Sequence, residues 1–309
     1  MHPLLPLFAV GLDFLFRDAE PWPHPVRIIG RLLDSLEKRA REQSRVSLLT
    51  AGWISLFLVC LFTGAITWVV THLPLLGLIF SLYLAYSGLS LAGLLFAAKR
   101  IAALLEENRE VEARRYLGML VTRDTSPLDR RELYKTLAET VSENLNDGFV
   151  APMFYLLLGG PVLLWVYKAV STMDSMWGYS TSQWRRLGRA GAKTEDVLSY
   201  LPARITYILT VASAWLWRLS WREALTLTPK QAGKMESPNA GWPMAACAWA
   251  VGAGMGGEAL YFGQVRKKPL LGPEARAWDK KAIQNLFRIA LTMGLLWTIL
   301  GTTLLWIAI

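Results

Sequence analysis

From Leu48 to Thr71 the chain runs LLTAGWISLFLVCLFTGAITWVVT without one charged side chain. A helix of ~20 apolar residues crosses ~30 Å of hydrocarbon, and inside lipid every backbone N–H and C=O must be bonded internally. Pro74–Ala98 and Ile289–Ile309 are equally uncharged. Only 18% of the 309 residues are charged, against about a quarter in ordinary soluble domains. The expected fold class is all-α: a polytopic integral membrane helical bundle forming one domain over residues 1–309. Its loops are expected to be cytoplasmic and helical, and some of its helices broken or re-entrant.

Charge then orients the spans. The connection His72-Leu73-Pro74 has no Lys or Arg, whereas both flanking loops do, which puts His72 outside and those loops in the cytoplasm. The same rule accounts for the net charge of +9 without nucleic acid as a partner. Two cysteines, Cys60 and Cys247, give neither a disulfide framework nor a thiolate metal site. The opening MHPLLPLFAVGLDFLF lacks a basic leader and a small-residue cleavage site, so it reads as a retained, short or partly inserted helix. IIGRLLDSLEKRAREQ reads as an amphipathic helix, and Lys99–Gly148 as a helix pair broken near Ser126-Pro127.

Past Phe149 the pattern is less regular. Phe149–Val170 is long enough to span, but Gly159-Gly160-Pro161 in its middle predicts a break. Leu201–Trp217 is a marginal span; if both segments cross, Ser171–Tyr200 lies outside. Gly241–Phe262 is rich in Ala and Gly, which suits close helix packing. Within it Gly252–Gly257 (GAGMGG) satisfies G-x-G-x-x-G, but it has no preceding strand or following βαβ unit, so it is no dinucleotide fingerprint.

Several constellations are chemically suggestive. Glu139, Glu143 and Asp147 at i, i+4, i+8 form one acidic helix stripe, flanked by Asn144 and Asn146. Such oxygens suit magnesium, which takes one or two carboxylates plus phosphates and water; a solvated helix face gives the same spacing. In YKAVSTMDSMWGY, Lys168 suits a phosphate and Asp174 a metal, or else a snorkelling lysine and a capping aspartate. Arg204 in LPARIT reads as an anion clamp or an interfacial anchor. SPNAGWP (Ser237–Pro243) is a turn, and His24 in PWPHPVR retains an acid-base or phosphate-contacting role.

Taken together and in order, these stretches resemble the CobD/CbiB family, the adenosylcobinamide-phosphate synthases of cobalamin biosynthesis. WPHPVRIIG is similar to the family's HPV-containing opening, and VTRDTSPLDRREL to its G-R-D-T segment. ETVSENLNDGFVAPMFY, YKAVSTMDSMWGY, LPARIT, SPNAGWPMAA, Gly256-Gly257 and YFG follow its later blocks. The chain departs at Ser171 and Ser199, where the family commonly has Asn, and at RDAEP, where G-D-P is usual. The AmpE-type signalling proteins share the broad architecture but lack the dense motifs; a non-catalytic membrane sensor or scaffold of that kind is the alternative reading. A transporter with broken helices is a third.

The resemblance implies ATP-dependent ligation of adenosylcobyric acid to (R)-1-amino-2-propanol phosphate, or ethanolamine phosphate, with Mg2+. It implies the bacterial inner membrane as location, a site facing the cytoplasm, and other late cobalamin-pathway membrane enzymes as partners. A carboxylate does not acylate an amine at neutral pH until phosphorylation supplies a leaving group. The site must therefore position anions and neutralise charge. On this basis Glu139, Glu143, Asp147 and Asp174 are expected to hold magnesium and ATP, and Arg123, Lys168 and Arg204 to bind phosphates. Asn144 and Asn239 would orient substrate, with His24, Arg27 and Tyr179 also contacting it, and Asp124 would hold metal or accept the amine's proton.

Overall fold

The computed structural model describes residues 2–17, 24–43, 45–178, 181, 183–261, 264–274 and 276–308. It is 74% helical with one two-stranded sheet. Four helical stretches are long and apolar enough to cross a membrane: Leu48–Thr71, Gly77–Glu106, Arg130–Trp177 and Lys280–Ile307. A fifth candidate is the pair Arg189–Leu198 and Tyr200–Leu216, bent by 47°. The all-α, multi-pass class is thus as expected. The chain forms two compact units, the first from 1–90, 151–199 and 298–309, the second from 91–150 and 200–297.

The first unit holds α1 (Leu5–Phe16), α2 (Pro25–Glu42), α3 (Leu48–Thr71), α4 (Gly77–Ser87), α8 (Ala151–Trp177) and α9 (Arg189–Leu198). Pro25 opens α2 and the His24 Nδ1 accepts from Val26 N–H at 3.3 Å. Ser47 caps α3 by accepting from Thr50 N–H at 3.2 Å. One face of α3 is small and buried (Ala51, Gly52, Ser55, Thr63), so neighbouring chain approaches closely. A Cβ on Gly52 would stand 2.2 Å from the Leu187 carbonyl oxygen. The opposite face exposes Trp53, Phe57, Leu61 and Trp68, as a lipid-facing surface requires.

The Gly159-Gly160-Pro161 break is a reversal. Gly160 sits at φ 66°, open to glycine alone among common residues without strain. Tyr155 and Tyr167 stack at 4.9 Å, although twelve residues of straight helix would separate them by ~18 Å. α8 is therefore a helical hairpin, the re-entrant form allowed for by its sequence. Its tip, Leu158–Val162, lines a cavity with His72, while its far end, Trp177, lines another with Ser47 and Leu49. Trp177, Gly178, Arg185, Arg186, Arg189 and Lys193 thus lie at the Ser47 end of α3. The sequence put Ser171–Tyr200 outside only if both flanking segments cross; α8 turns back instead, so that condition is not met.

The second unit holds α5 (Leu91–Glu106), α6 (Glu110–Gly118), α7 (Arg130–Leu145), a π-helical turn (Asn146–Val150), α10 (Tyr200–Leu216), α11 (Trp221–Ala232) and α12 (Gly241–Val251). Strands β1 (Met255–Tyr261) and β2 (Gln264–Leu271) and most of α13 (Lys280–Ile307) complete it. Asp129 caps α7, its Oδ1 accepting from Glu132 N–H at 2.8 Å. The expected break at Ser126-Pro127 falls in the non-helical link between α6 and α7. The Ala-rich α12 packs as expected, with Ala245, Ala246, Ala248 and Ala250 buried.

Helix does not continue to Phe262 as expected. α12 stops at Gly252, left-handed at φ 78°, and the chain turns into an antiparallel hairpin. Pairing jumps from Met255–Leu271 to Gly257–Lys268, so Pro269 and Leu270 oppose the single Gly256. A bulge is where a strand accommodates a proline that cannot donate to the ladder.

Candidate functional site

The second unit brings Asp124, Glu143, Gly256 and Tyr261 of the motifs around one buried ion pair. Arg123 is 7% exposed and Glu139 4%. The Arg123 guanidinium donates to Glu139 Oε2, to Thr136 Oγ1 at 2.8 Å and to the Tyr261 hydroxyl at 3.4 Å. Glu139 Oε1 accepts from the Gly256 N–H at 2.7 Å. A β-bridge between Arg123 and Tyr261, and Asp124 N–H donating to the Leu260 carbonyl at 3.0 Å, lay the 123–124 segment along β1. Gly256 is required at the bulge. Its φ of 88° disfavours a side chain, and a Cβ there would meet the Pro269 oxygen at 2.1 Å.

One helical turn beyond Glu139 stands half-buried Glu143, with Lys268 and Arg123 as positive neighbours and Glu139 as a negative one. The Lys268 ammonium lies 5.3 Å from the centre of the Tyr261 ring, and the Arg123 guanidinium 5.7 Å from it. Burial opposes the Lys268 charge, but Tyr261, Glu143 and Glu139 outweigh it and hold the ammonium above the usual lysine range. For Arg123 burial is again the larger opposing influence, overcome by Glu139 and Tyr261 together. Asp124 is drawn below the usual carboxylate range by the Ser126 hydroxyl and N–H on its Oδ1.

The rest of the acidic stripe departs from α-helical spacing, because a π-helical turn begins at Asn146. Such turns are rare and frequent at functional sites. Asn146 is buried; its amide donates to Asp147 Oδ1 at 2.7 Å and its oxygen accepts from Thr206 at 3.0 Å. Asn144 is exposed and donates to the Thr140 carbonyl at 2.9 Å. Two residues before Thr206, Arg204 donates to Asn239 Oδ1 and to the Tyr200 carbonyl, each at 2.8 Å, with its guanidinium 3.6 Å from the centre of the Tyr200 ring. Residues two apart point to roughly opposite sides of a helix. α10 therefore meets the π turn on one side and the Ser237–Asn239 turn on the other.

Three expectations change. Arg123 and Glu139 bind each other, so neither is presented as an open phosphate or metal ligand. Among the described residues no three His, Cys, Asp or Glu side chains are grouped to hold a metal ion; the four-carboxylate magnesium site is not preformed. His24 caps α2 through Nδ1 and stands edge-on to Trp165 at 6.3 Å. It lies in the first unit, as do Arg27, exposed in the first turn of α2, and half-buried Lys168 and Asp174 on α8. Tyr179 falls outside the described residues. Sequence reasoning missed Lys268, Tyr261, Thr136 and the Gly256 N–H. The Gly256-Gly257 and YFG block was a signal for two of them.

A sequence model of the CobD/Cbib protein family matches residues 6–290. The chain is 35% identical to the cobalamin biosynthesis protein CobD of Clostridium perfringens, over 84% of each chain. It is 36% identical to cobalamin biosynthesis protein CbiB of Salmonella typhi, over 90% of this chain and 89% of the relative. With CobD of Geobacter metallireducens the identity is 37%, over 92% and 90%. No solved structure matches.

Proposed function

This chain belongs to the CobD/CbiB family, and we propose that it acts in cobalamin biosynthesis as an ATP-dependent ligase. It joins adenosylcobyric acid, through its free propionate carboxylate, to (R)-1-amino-2-propanol phosphate or ethanolamine phosphate. The enzyme works in the bacterial inner membrane with its site on the cytoplasmic side.

The observation that carries this reading is Glu143 within electrostatic reach of Lys268 and of the fixed Arg123–Glu139 pair. Magnesium takes one or two carboxylates together with phosphate oxygens, so Glu143 fits as its protein ligand without a three-acid cluster. When bound, ATP and magnesium supply the phosphoryl leaving group that makes the propionate carbonyl open to the amine. Lys268 meets phosphate as a point charge whose proton is held at neutral pH. Arg123, fixed by Glu139, Thr136 and Tyr261, holds the 123–124 segment and β1 in place beside Glu143. Arg204 and Asn239, locked together, hold the Ser237–Asn239 turn beside α10, where Asn239, itself buried, would orient substrate only by its hold on Arg204. Asp124 remains charged to accept the amine's proton.

An activated carboxylate predicts an isotope result. With adenosylcobyric acid labelled by 18O in the propionate, one 18O should leave in the inorganic phosphate for every amide bond formed. Amide formation with unlabelled phosphate would overturn the reading. The alternative, a sensor or scaffold of the AmpE type, predicts no phosphate release dependent on corrinoid and amine.

A further inference from the structure

We propose that the first unit carries a binding site for a phosphate-ester anion, in the cavity at the Ser47 end of α3. The cavity is about 640 Å³ and is walled by Trp177, Trp184, Arg185, Arg186, Arg189 and Lys193. Lys193 reaches Asp196 at 3.4 Å. Arg185, Arg186 and Arg189 are exposed and, among the described residues, their guanidinium groups have no ion pair or hydrogen bond. No Asp or Glu is among the cavity's described lining residues; Asp174 packs against Gly178 on the wall, and Arg41, paired with Glu37, stands over Trp184. Positive charge is thus in excess.

Two further donors face the same space. Gly188, the N-cap of α9, also lines the cavity; no side chain caps this helix and no acid sits in its first turn. Its first N–H groups and the helix dipole therefore favour an anion. Trp177 is fully buried, yet its indole N–H has no acceptor among the described residues. A buried donor left unmade is unfavourable, so an acceptor brought to this wall answers a need that the described residues leave open. Guanidinium groups, helix N–H groups and an indole N–H together match phosphate oxygens.

The location bears on the source. Ser47 and Leu49 line the cavity at the start of α3, and lipid-facing Trp53 and Phe57 follow one and two turns later. Basic pockets between spanning helices at a membrane face take anionic lipid headgroups; a soluble phosphate ester offers the same oxygens. The inference does not rest on the ligase reading, and its test needs neither corrinoid nor turnover.

The full-length protein is purified into nanodiscs of phosphatidylcholine, with or without phosphatidylglycerol. Native mass spectrometry counts retained phosphatidylglycerol, and calorimetry in phosphatidylcholine-only discs follows pyrophosphate. Binding in at least one arm is expected, weakened about tenfold or more by R185Q/R186Q/R189Q. W177F, which keeps a ring but removes the N–H, should weaken it less. The control K38Q/K230Q/K281Q, with the same loss of charge elsewhere, should bind as wild type. Binding in the lipid arm alone identifies a headgroup site, and in the pyrophosphate arm a site open to soluble phosphate groups. No binding in either arm, or equal loss in the control, overturns the proposal.

Discussion

At the scale of single residues, two carboxylates one helical turn apart have different tasks. Glu139 neutralises a buried guanidinium, and breaking a buried pair by removing one partner costs about 3–5 kcal/mol. E139Q should therefore lower the melting temperature of the purified protein sharply. E143Q removes an attraction to Lys268 and a repulsion from Glu139 together, so its stability should stay within about 1 kcal/mol of wild type, while ligation is lost. Equal thermal shifts would contradict the division. pH divides two other groups. The raised Lys268 pKa adds stability that is complete below the ordinary lysine pKa and fades as pH rises through the folded value. The lowered Asp124 pKa adds stability present above the ordinary carboxylate pKa and lost as pH falls through the folded one. Melting curves against pH should show K268M flattening the alkaline limb and D124N the acid limb. The acidic stripe was legible in the sequence, because i, i+4 spacing is local. Its partners were not: Gly256 lies 117 residues from Glu139, and only the tertiary fold pairs them.

At the scale of elements, the bulge at Gly256 makes a graded prediction. Both Gly256 and Gly257 have φ near 88°, but an added Cβ meets the Pro269 oxygen at 2.1 Å in one case and only Leu270 Cδ2 at 3.7 Å in the other. G257A should cost about 1–2 kcal/mol for the left-handed backbone, and G256A more, read as melting temperature. A reversed order would mean that the bulge is not where the strands place it. Composition hid this hairpin. Ala and Gly after Gly241 suit close helix packing, and they also suit a strand whose backbone must approach a carboxylate. The uncharged α3, by contrast, was legible to the residue, because lipid leaves an apolar stretch of that length little choice but helix. The Gly159-Gly160-Pro161 break was legible as a break. The choice between the broken and the re-entrant form was not, since it depends on Gly160's positive φ and the Tyr155–Tyr167 stack.

At the scale of the whole molecule, α3 and the α8 hairpin of the first unit fix sidedness. His72 and Arg186 lie at opposite ends of α3, whose 24 residues span about 36 Å. In oriented vesicles, with Cys60 and Cys247 replaced, an impermeant maleimide should reach H72C and R186C from opposite sides. Labelling from one side would remove the hairpin topology. The central claim is catalytic, and product mass spectrometry tests it most directly. Purified protein is incubated with adenosylcobyric acid, aminopropanol phosphate, ATP and magnesium, beside folded E143Q. The account predicts adenosylcobinamide phosphate from wild type only with ATP present, and none from E143Q. Product without ATP, near-normal product from E143Q, or no product from active-folded wild type would contradict it.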